Sequence, residues 1–324
     1  MKRIFFVFIL CVLQFSSVCA QKKTLVSATV SGYNGKVVDF EFIGQEKCNM
    51  QFPYKEGQNM EFEAELNDVV ILKVNAWIWI FLRPGDQIHA DIQYNERNYK
   101  TAEFTGTPEI VKANNAIRDM RNLRIENRYK MNTLAAVVTQ VSLADYYAAT
   151  QKEIREELPV LKAIQDEIPE EVYNYLYAEH ESLLLSNLIN CPGVYGPDKK
   201  GASLTYPEGY WNVLDHYRLY EDLYSLKSRA YMAFLLTYKN YMRRKAAHDA
   251  GEKYVPNKTM KAEYEDIAAF YPNVSLRENA LFVFLYNQIS AGRDFDAIQP
   301  LVKDFLKKQS KNKYFKKLLT DMMK

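Results

Sequence analysis

Between Thr24 and Gly106 apolar and polar residues alternate in short runs, which is the period of half-buried β-strands. The clearest run places Phe62, Ala64 and Leu66 on one face and glutamates at the positions between them. Roughly seven or eight such strands separated by turns are typical of an antiparallel sandwich or barrel-like β domain. The Asn34-Gly35 pair predicts a tight hairpin between the first two strands.

One predicted strand lacks a polar face. Trp77, Trp79 and Phe81 lie on one side of it, and aliphatic residues lie on the other. Because both faces are apolar, both are expected to be covered. Two interpretations remain open: the aromatic face supports the domain that follows, or it is a platform for a ligand such as a sugar.

From Thr107 onward the apolar positions recur at helical spacing. Caps, breaks and stops can be read from the Ser, Asn, Pro and Gly residues along this part. They are Thr107-Pro108, Ser142, Pro159, Pro169, Asn257, Ser275 with Glu278, Gly292 and Ser310. The expected fold class is therefore α+β, with an N-terminal antiparallel β-sandwich over residues 21–106 and an all-α helical domain over residues 107–324.

Tyrosine is the strongest compositional bias, with 24 residues. Five of them recur at seven-residue intervals from Tyr210 to Tyr238, which predicts one curved helix or two shorter ones, the second capped by Ser225 or Ser228. The rings form either a helix–helix seam or an aromatic groove for a peptide or glycan. The Gly- and Pro-rich stretch 190–209 predicts a long crossover or a lid.

The first twenty residues have the pattern of an export signal. Lys2 and Arg3 precede a short apolar run, and Val18-Cys19-Ala20 places small residues before Gln21. A signal peptide over residues 1–20, cleaved after Ala20, would give a periplasmic or secreted protein. The alternative is a lipoprotein acylated at Cys19. No later apolar run is long enough to predict a transmembrane span.

Charge and motifs exclude several classes of function. Lys plus Arg number 42 and Asp plus Glu number 40, and the excess lies in the signal segment, which argues against a nucleic-acid partner. No spacing typical of a metal site, phosphate loop, dinucleotide fingerprint or nucleophile elbow occurs, so no catalytic, cofactor-binding or metal-binding residue is predicted, and no enzyme activity.

Cys48 and Cys191 form either a disulfide or two separate buried thiols. The lysine-rich C-terminus either contacts an anionic membrane or a partner, or is the solvated face of a packed helix.

The segment from Phe81 to Ile88, with its Pro84-Gly85-Asp86 turn, and the later Phe104-Thr105-Gly106 and Asn114 resemble the N-terminal region of exported thioredoxin-like proteins of Bacteroidetes. The resemblance covers roughly residues 24–120. In that family a β domain and a helical segment precede a thioredoxin domain with a catalytic Cys-x-x-Cys, and no position here matches that motif.

The resemblance implies a non-catalytic binding or scaffold protein of the Gram-negative envelope, with another envelope protein as partner. One alternative is a redox accessory, or one half of a split gene, acting with a separate thioredoxin-like oxidoreductase. Another is a glycan-binding protein or hydrolase that uses Trp77 and Trp79.

Overall fold

The computed structural model describes residues 23–95, 100–128, 141–195 and 205–324. Within these ranges eight strands are followed by eight α-helices, which confirms the expected α+β class. The chain divides into two compact units, Met1–Val111 and Lys112–Lys324. The predicted signal peptide, with Cys19 and Ala20, lies outside the described residues.

The strands form two four-stranded sheets, in the orders β4-β1-β7-β8 and β3-β2-β5-β6. Alternate residues of each strand point into the space between the sheets, where Val26, Phe40 and Leu72 are fully buried. The strands are β1 Thr24–Ser31, β2 Val37–Phe42, β3 Met50–Pro53, β4 Asn59–Ala64, β5 Val70–Val74, β6 Ile78–Leu82, β7 Gln87–Tyr94 and β8 Lys100–Gly106.

The predicted hairpin at Asn34-Gly35 is wrong. β1 pairs with β4 in antiparallel and with β7 in parallel register, whereas β2 pairs with β3 and β5 in the other sheet. The turn therefore carries the chain from one sheet to the other. Alternation of apolar residues identifies a strand and its buried face, but it does not identify the strand's neighbours.

The helices pack around a core of their own. Ser142 and Ser228 cap helices as predicted, and Gly292 ends one at a φ of 62°. The helices are α1 Pro108–Arg128, α2 Leu143–Ala163, α3 Glu170–Tyr195, α4 Arg229–Asp249, α5 Met260–Phe270, α6 Val274–Ser290, α7 Phe295–Asp304 and α8 Lys313–Met322.

Three predicted caps are each two residues from the observed ones. The residues predicted were Asn257, Ser275 and Ser310, and those observed are Thr259, Asn273 and Asn312. Glu278 does not complete a capping box. Its carboxylate accepts from the Ser310 hydroxyl at 2.6 Å and from two backbone N–H groups, those of residues 311 and 312, at 2.7 and 2.8 Å. Glu278 therefore fixes the start of α8 to α6.

Pro159 and Pro192 do not end the helices in which they lie. α2 continues past Pro159 to Ala163, and α3 continues past Pro192 to Tyr195. The predicted irregular stretch 190–209 is therefore helical at its beginning, and residues 196–204 lie outside the described residues.

The regular tyrosine spacing does not form a helix throughout. Tyr231 and Tyr238 lie on α4, but Tyr210 lies in a single 3₁₀ turn and Tyr217 in irregular backbone. The prediction of a helix is wrong for the first part and correct for the second.

Candidate functional site

The connections β1–β2, β3–β4 and β5–β6 lie at one end of the sandwich. The strand pairings place the ends of β1, β3, β5 and β7 there, together with the starts of β2, β4, β6 and β8. The chain leaves the last strand for α1 at the opposite end. Loops gathered on a rigid sheet scaffold are where binding residues of β-sandwiches are commonly found.

Each of these connections contributes an aromatic ring, and a fourth ring ends β7 beside them. The four residues, here called the aromatic end, are Tyr33, Tyr54, Trp77 and Tyr94. The ring centroid of Tyr33 is 5.4 Å from that of Tyr54 and 4.9 Å from that of Tyr94. The Tyr54 hydroxyl also accepts a hydrogen bond from the backbone N–H of Tyr33 at 3.2 Å. Trp77 is 54% exposed, and the three tyrosines are half-buried. The aromatic end is therefore a solvent-facing group of rings, in which Tyr33 contacts Tyr54 and Tyr94.

Trp77 is presented by a tight turn with unusual backbone. Asn75 and Ala76 have φ values of 48° and 60°, and the Trp77 N–H donates to the carbonyl of Val74 at 3.1 Å. Positive φ at both central positions is the geometry of a type I′ turn. Asparagine adopts it readily, whereas alanine does so at a cost of about 1 kcal/mol.

The Asn75 side chain holds this turn in place. Its amide oxygen accepts from the backbone N–H of Asp39 at 2.9 Å, and its amide nitrogen donates to the Tyr94 hydroxyl at 3.0 Å. Asn75 is buried, so these bonds are shielded from water. The turn is thereby fastened both to its own sheet and to β7 of the other sheet, and the strain at Ala76 persists at a surface that displays Trp77.

Glu56 fastens two of the other loops. Its carboxylate oxygens both lie 3.1 Å from the backbone N–H of Gly32, and the Tyr54 hydroxyl donates to it. The hydrogen bond from Tyr54 is the main reason that the pKa of Glu56 is lowered. Loss of water raises the pKa of Tyr54, and its bond to Glu56 adds to that rise. Glu56 is thus an ionised anchor of the loops rather than a proton donor.

The three residues predicted to form one surface are separated. Trp77 precedes β6 and is exposed, whereas Trp79 is half-buried on the outer face of β6 with the Lys73 ammonium 5.0 Å from its ring centroid. Phe81 is fully buried. A continuous platform over Trp77, Trp79 and Phe81 is therefore not present, and Trp77 belongs with the aromatic end.

The Pro84-Gly85-Asp86 segment is a structural turn between β6 and β7, at the end opposite the aromatic rings. Gly85 has a φ of 89°, as the third position of a type II turn after proline requires. The Asp86 carboxylate accepts from the Arg83 N–H at 2.7 Å, and Thr24 Oγ1 accepts from the Gly85 N–H at 2.9 Å. These bonds tie the turn to β1.

Cys48 and Cys191 are both free thiols. Cys48 is partly exposed, with its sulfur 3.6 Å from the carbonyl of Glu65, and Cys191 is buried, with its sulfur 3.0 Å from the carbonyl of Leu188. Burial raises the pKa of Cys191 to about 12 and also raises the pKa of Cys48. Since the thiolate is the reactive form, both sulfurs are poor nucleophiles at neutral pH.

Comparison with known proteins gives no relative from which a role could be transferred. No family model, curated protein or solved structure matches this chain. The likeness to exported thioredoxin-like proteins therefore stays a resemblance. Within the described ranges, no helix is both long and apolar enough to cross a membrane, and no group of three or more His, Cys, Asp and Glu side chains could hold a metal ion.

Sequence reasoning identified Trp77 but did not single out Tyr33, Tyr54 and Tyr94 as site residues. Each of the three tyrosines is next to a residue typical of turns, Asn34, Pro53 or Asn95, and Trp77 is two residues after Asn75. Aromatic residues close to turn residues are thus the signal that would have pointed to the aromatic end. What the sequence could not show is that these residues share one end of the sandwich.

Proposed function

We propose that this chain is an exported, non-catalytic binding protein of the bacterial cell envelope, and that it binds saccharides at the aromatic end. The observation that carries the proposal is that Tyr33, in contact with Tyr54 and Tyr94, lies at the same end of the sandwich as the exposed Trp77. Tyrosine and tryptophan offer large contact areas with few rotatable bonds, so little conformational entropy is lost on binding.

The chemistry of the aromatic end favours a polyhydroxylated ligand. Sugar rings present apolar C–H faces that can stack on an aromatic ring, and hydroxyls that both donate and accept. The hydroxyls of Tyr33, Tyr54 and Tyr94 and the backbone of their loops supply polar groups beside the rings. A hydrolase would need a second carboxylate across the sugar from the first, whereas Glu56 is held by loop donors.

A redox accessory role has less support from the geometry. Both thiols have raised pKa values, which disfavours disulfide exchange through this chain's own cysteines. A complex with a separate thioredoxin-like oxidoreductase stays a prediction, and co-expression with a Cys-x-x-Cys partner followed by size-exclusion chromatography would test it.

The export half of the proposal rests on the N-terminal pattern. Mass spectrometry of the protein recovered from the cell envelope should find a chain that begins at Gln21 or its cyclised form. A chain acylated at Cys19 would replace the soluble product by a lipoprotein. A chain that still begins at Met1 would remove export altogether.

Calorimetric titration of the full mature chain with peptidoglycan fragments and neutral oligosaccharides tests the binding half. We expect Trp77→Ala to weaken the best ligand about tenfold, equivalent to ~1.4 kcal/mol of lost stacking. Leu223→Ala is the matched control, because Leu223 is 64% exposed and lies in the helical unit. Equal affinities for wild type and Trp77→Ala, or no binding across the panel, would contradict the proposal.

A further inference from the structure

A second aromatic cluster lies in the helical unit. Tyr173, Tyr177 and Glu181 are four residues apart on α3, so they share one face of that helix. Tyr217 and Tyr220 come from the irregular segment that precedes α4. We call these five residues the tyrosine–glutamate cluster. All five are half-buried, so the cluster has a solvent-facing side.

The rings enclose the carboxylate from several directions. The centroids of Tyr173 and Tyr177 are 5.5 Å apart, and Tyr220 lies nearly perpendicular to Tyr177 at 6.4 Å and to Tyr217 at 6.2 Å. The near-perpendicular pairs give the cluster a corner of ring faces and edges instead of a flat stack. Such a corner attracts a cation, because the face of an aromatic ring carries partial negative charge.

Glu181 places a carboxylate beside these rings. The Tyr220 hydroxyl donates to its Oε2 at 2.6 Å, and the hydroxyls of Tyr177 and Tyr217 also interact with the carboxylate. The Tyr217 hydroxyl is itself buried and lacks a well-formed hydrogen bond. Burial raises the pKa of Glu181, and the charge of Lys162 opposes that rise. A cation beside this carboxylate is therefore favourable.

The chain already brings an ammonium group to the edge of the cluster. The Nζ of Lys162 is 5.7 Å from the ring centroid of Tyr177. Lys162 is exposed at the last turn of α2, so its flexible side chain can be displaced at little cost. Its position shows the kind of charge that this corner attracts.

From these contacts we propose that the tyrosine–glutamate cluster binds a quaternary ammonium group. Because the Tyr220 hydroxyl already donates to Oε2 of Glu181, this carboxylate has less capacity to accept hydrogen bonds from a ligand. A ligand without N–H donors suits that arrangement better than a primary amine, and its methyl groups would contact the faces of Tyr177 and Tyr220. This site is in the helical unit and does not depend on the saccharide site.

Titration of the full mature chain with choline, followed by NMR or calorimetry, tests the proposal. The matched probe is 3,3-dimethyl-1-butanol, which has the shape of choline without its charge. We expect choline to bind at least tenfold more tightly than this alcohol. Equal binding of the two, or no binding of choline, would overturn the proposal.

Four variants test separately the carboxylate charge, the Tyr177 ring and competition from Lys162. Glu181→Gln should weaken choline binding about tenfold, and Tyr177→Leu should weaken it whereas Tyr177→Phe should not. Lys162→Gln is a surface change that leaves the fold intact, and it should tighten binding because it removes the competing ammonium. Unchanged affinity in both Glu181→Gln and Lys162→Gln, with unchanged melting temperature, would contradict the assignment.

The same chemistry could come from a free metabolite or from a lipid headgroup. Sedimentation with phosphatidylcholine vesicles, with phosphatidylglycerol vesicles as control, distinguishes the two sources. Choline binding with selective sedimentation supports the proposal with a lipid source, and choline binding without it supports the proposal with a soluble source. Sedimentation that is equal for both lipids and unaffected by Glu181→Gln would count against the cluster as the binding site.

Discussion

The tyrosines of the β-sandwich and those of the helical core differ in what their hydroxyls do. At the aromatic end the hydroxyls of Tyr54 and Tyr94 contact loop groups at a solvent-facing surface. In the helical core the hydroxyls of four buried tyrosines each donate to a backbone carbonyl, at distances of 2.5–2.8 Å. These donors are Tyr210, Tyr231, Tyr241 and Tyr271.

The high tyrosine content therefore serves two purposes, one structural and one at a surface. Two of the buried tyrosines satisfy carbonyl groups of irregular backbone, as Tyr231 does for Tyr220 and Tyr241 does for Tyr210. They therefore hold the segment between α3 and α4 in place without making it a helix. The sandwich tyrosines are displayed, and their loss should affect binding more than folding.

The largest expected change in stability tests whether the buried tyrosines support folding and the displayed ones do not. Tyr231→Ala removes a fully buried ring and should lower the free energy of unfolding by about 3–5 kcal/mol. Tyr33→Ala removes a half-buried ring from the aromatic end and should cost less than about 1 kcal/mol. Urea unfolding followed by circular dichroism measures both values. Similar losses in the two variants would remove the distinction.

The helical unit should also carry a pH dependence through His180. Burial, with a smaller effect of Arg124, lowers the pKa of His180 from 6.5 to about 3. The unfolded chain therefore takes up a proton below pH 6.5 that the folded chain excludes, so stability present above pH 6.5 is lost as the pH falls towards 3. The loss between pH 7 and pH 5 is about 2 kcal/mol.

Comparison of wild type with His180→Gln isolates this effect. Burial also raises the pKa values of Glu179 and Glu181, which stabilise the fold at lower pH and oppose the histidine. Those two groups are present in both proteins and cancel in the difference. We expect the variant to lose less stability than wild type from pH 7 to pH 5 in urea unfolding. Parallel pH profiles would show that His180 does not remain neutral in the folded state.

The fold class was predictable because hydrophobic period depends on local geometry alone. Alternation at Phe62, Ala64 and Leu66 and helical spacing after Thr107 each identify their element without knowledge of its neighbours. The parallel pairing of β1 with β7 was not predictable, because the chain between them is long and pairing depends on packing of the whole sandwich.

The errors at individual residues have tertiary causes. Seven-residue spacing is compatible with a helix, but Tyr210 and Tyr217 lie after Gly209, which has a φ of 73°, and carbonyl–hydroxyl bonds replace helical ones there. Ser310 looked like a cap, but its hydroxyl bonds Glu278 of another helix, and Asn312 takes the capping role. Local sequence cannot weigh such distant partners.

For the aromatic end, the sequence identified Trp77 but not the tight turn that precedes it. The sequence pattern placed Trp77 on one face of a strand, whereas Asn75 and Ala76, at positive φ, form a tight turn just before it. The strand begins instead at Ile78, which shifts Trp77 from a strand face to a loop.

The smallest expected effect concerns that turn. Ala76→Gly should raise the free energy of unfolding by about 0.5–1 kcal/mol, because glycine adopts positive φ without strain. Ala246→Gly, at an exposed interior position of α4, is the matched control and should lower it by about 1 kcal/mol. Destabilisation by both changes would mean that Ala76 is not strained, and the display of Trp77 would need another cause.

Hydroxyl-radical footprinting of the full mature chain, with and without the tightest saccharide, tests the central claim most directly. We expect the saccharide to protect Trp77 and the neighbouring Tyr33, Tyr54 and Tyr94 from oxidation. The oxidation of exposed Leu223 in the helical unit should be unchanged. Protection confined to the helical unit, with Trp77 equally reactive in both samples, would contradict the assignment of the aromatic end as the binding site.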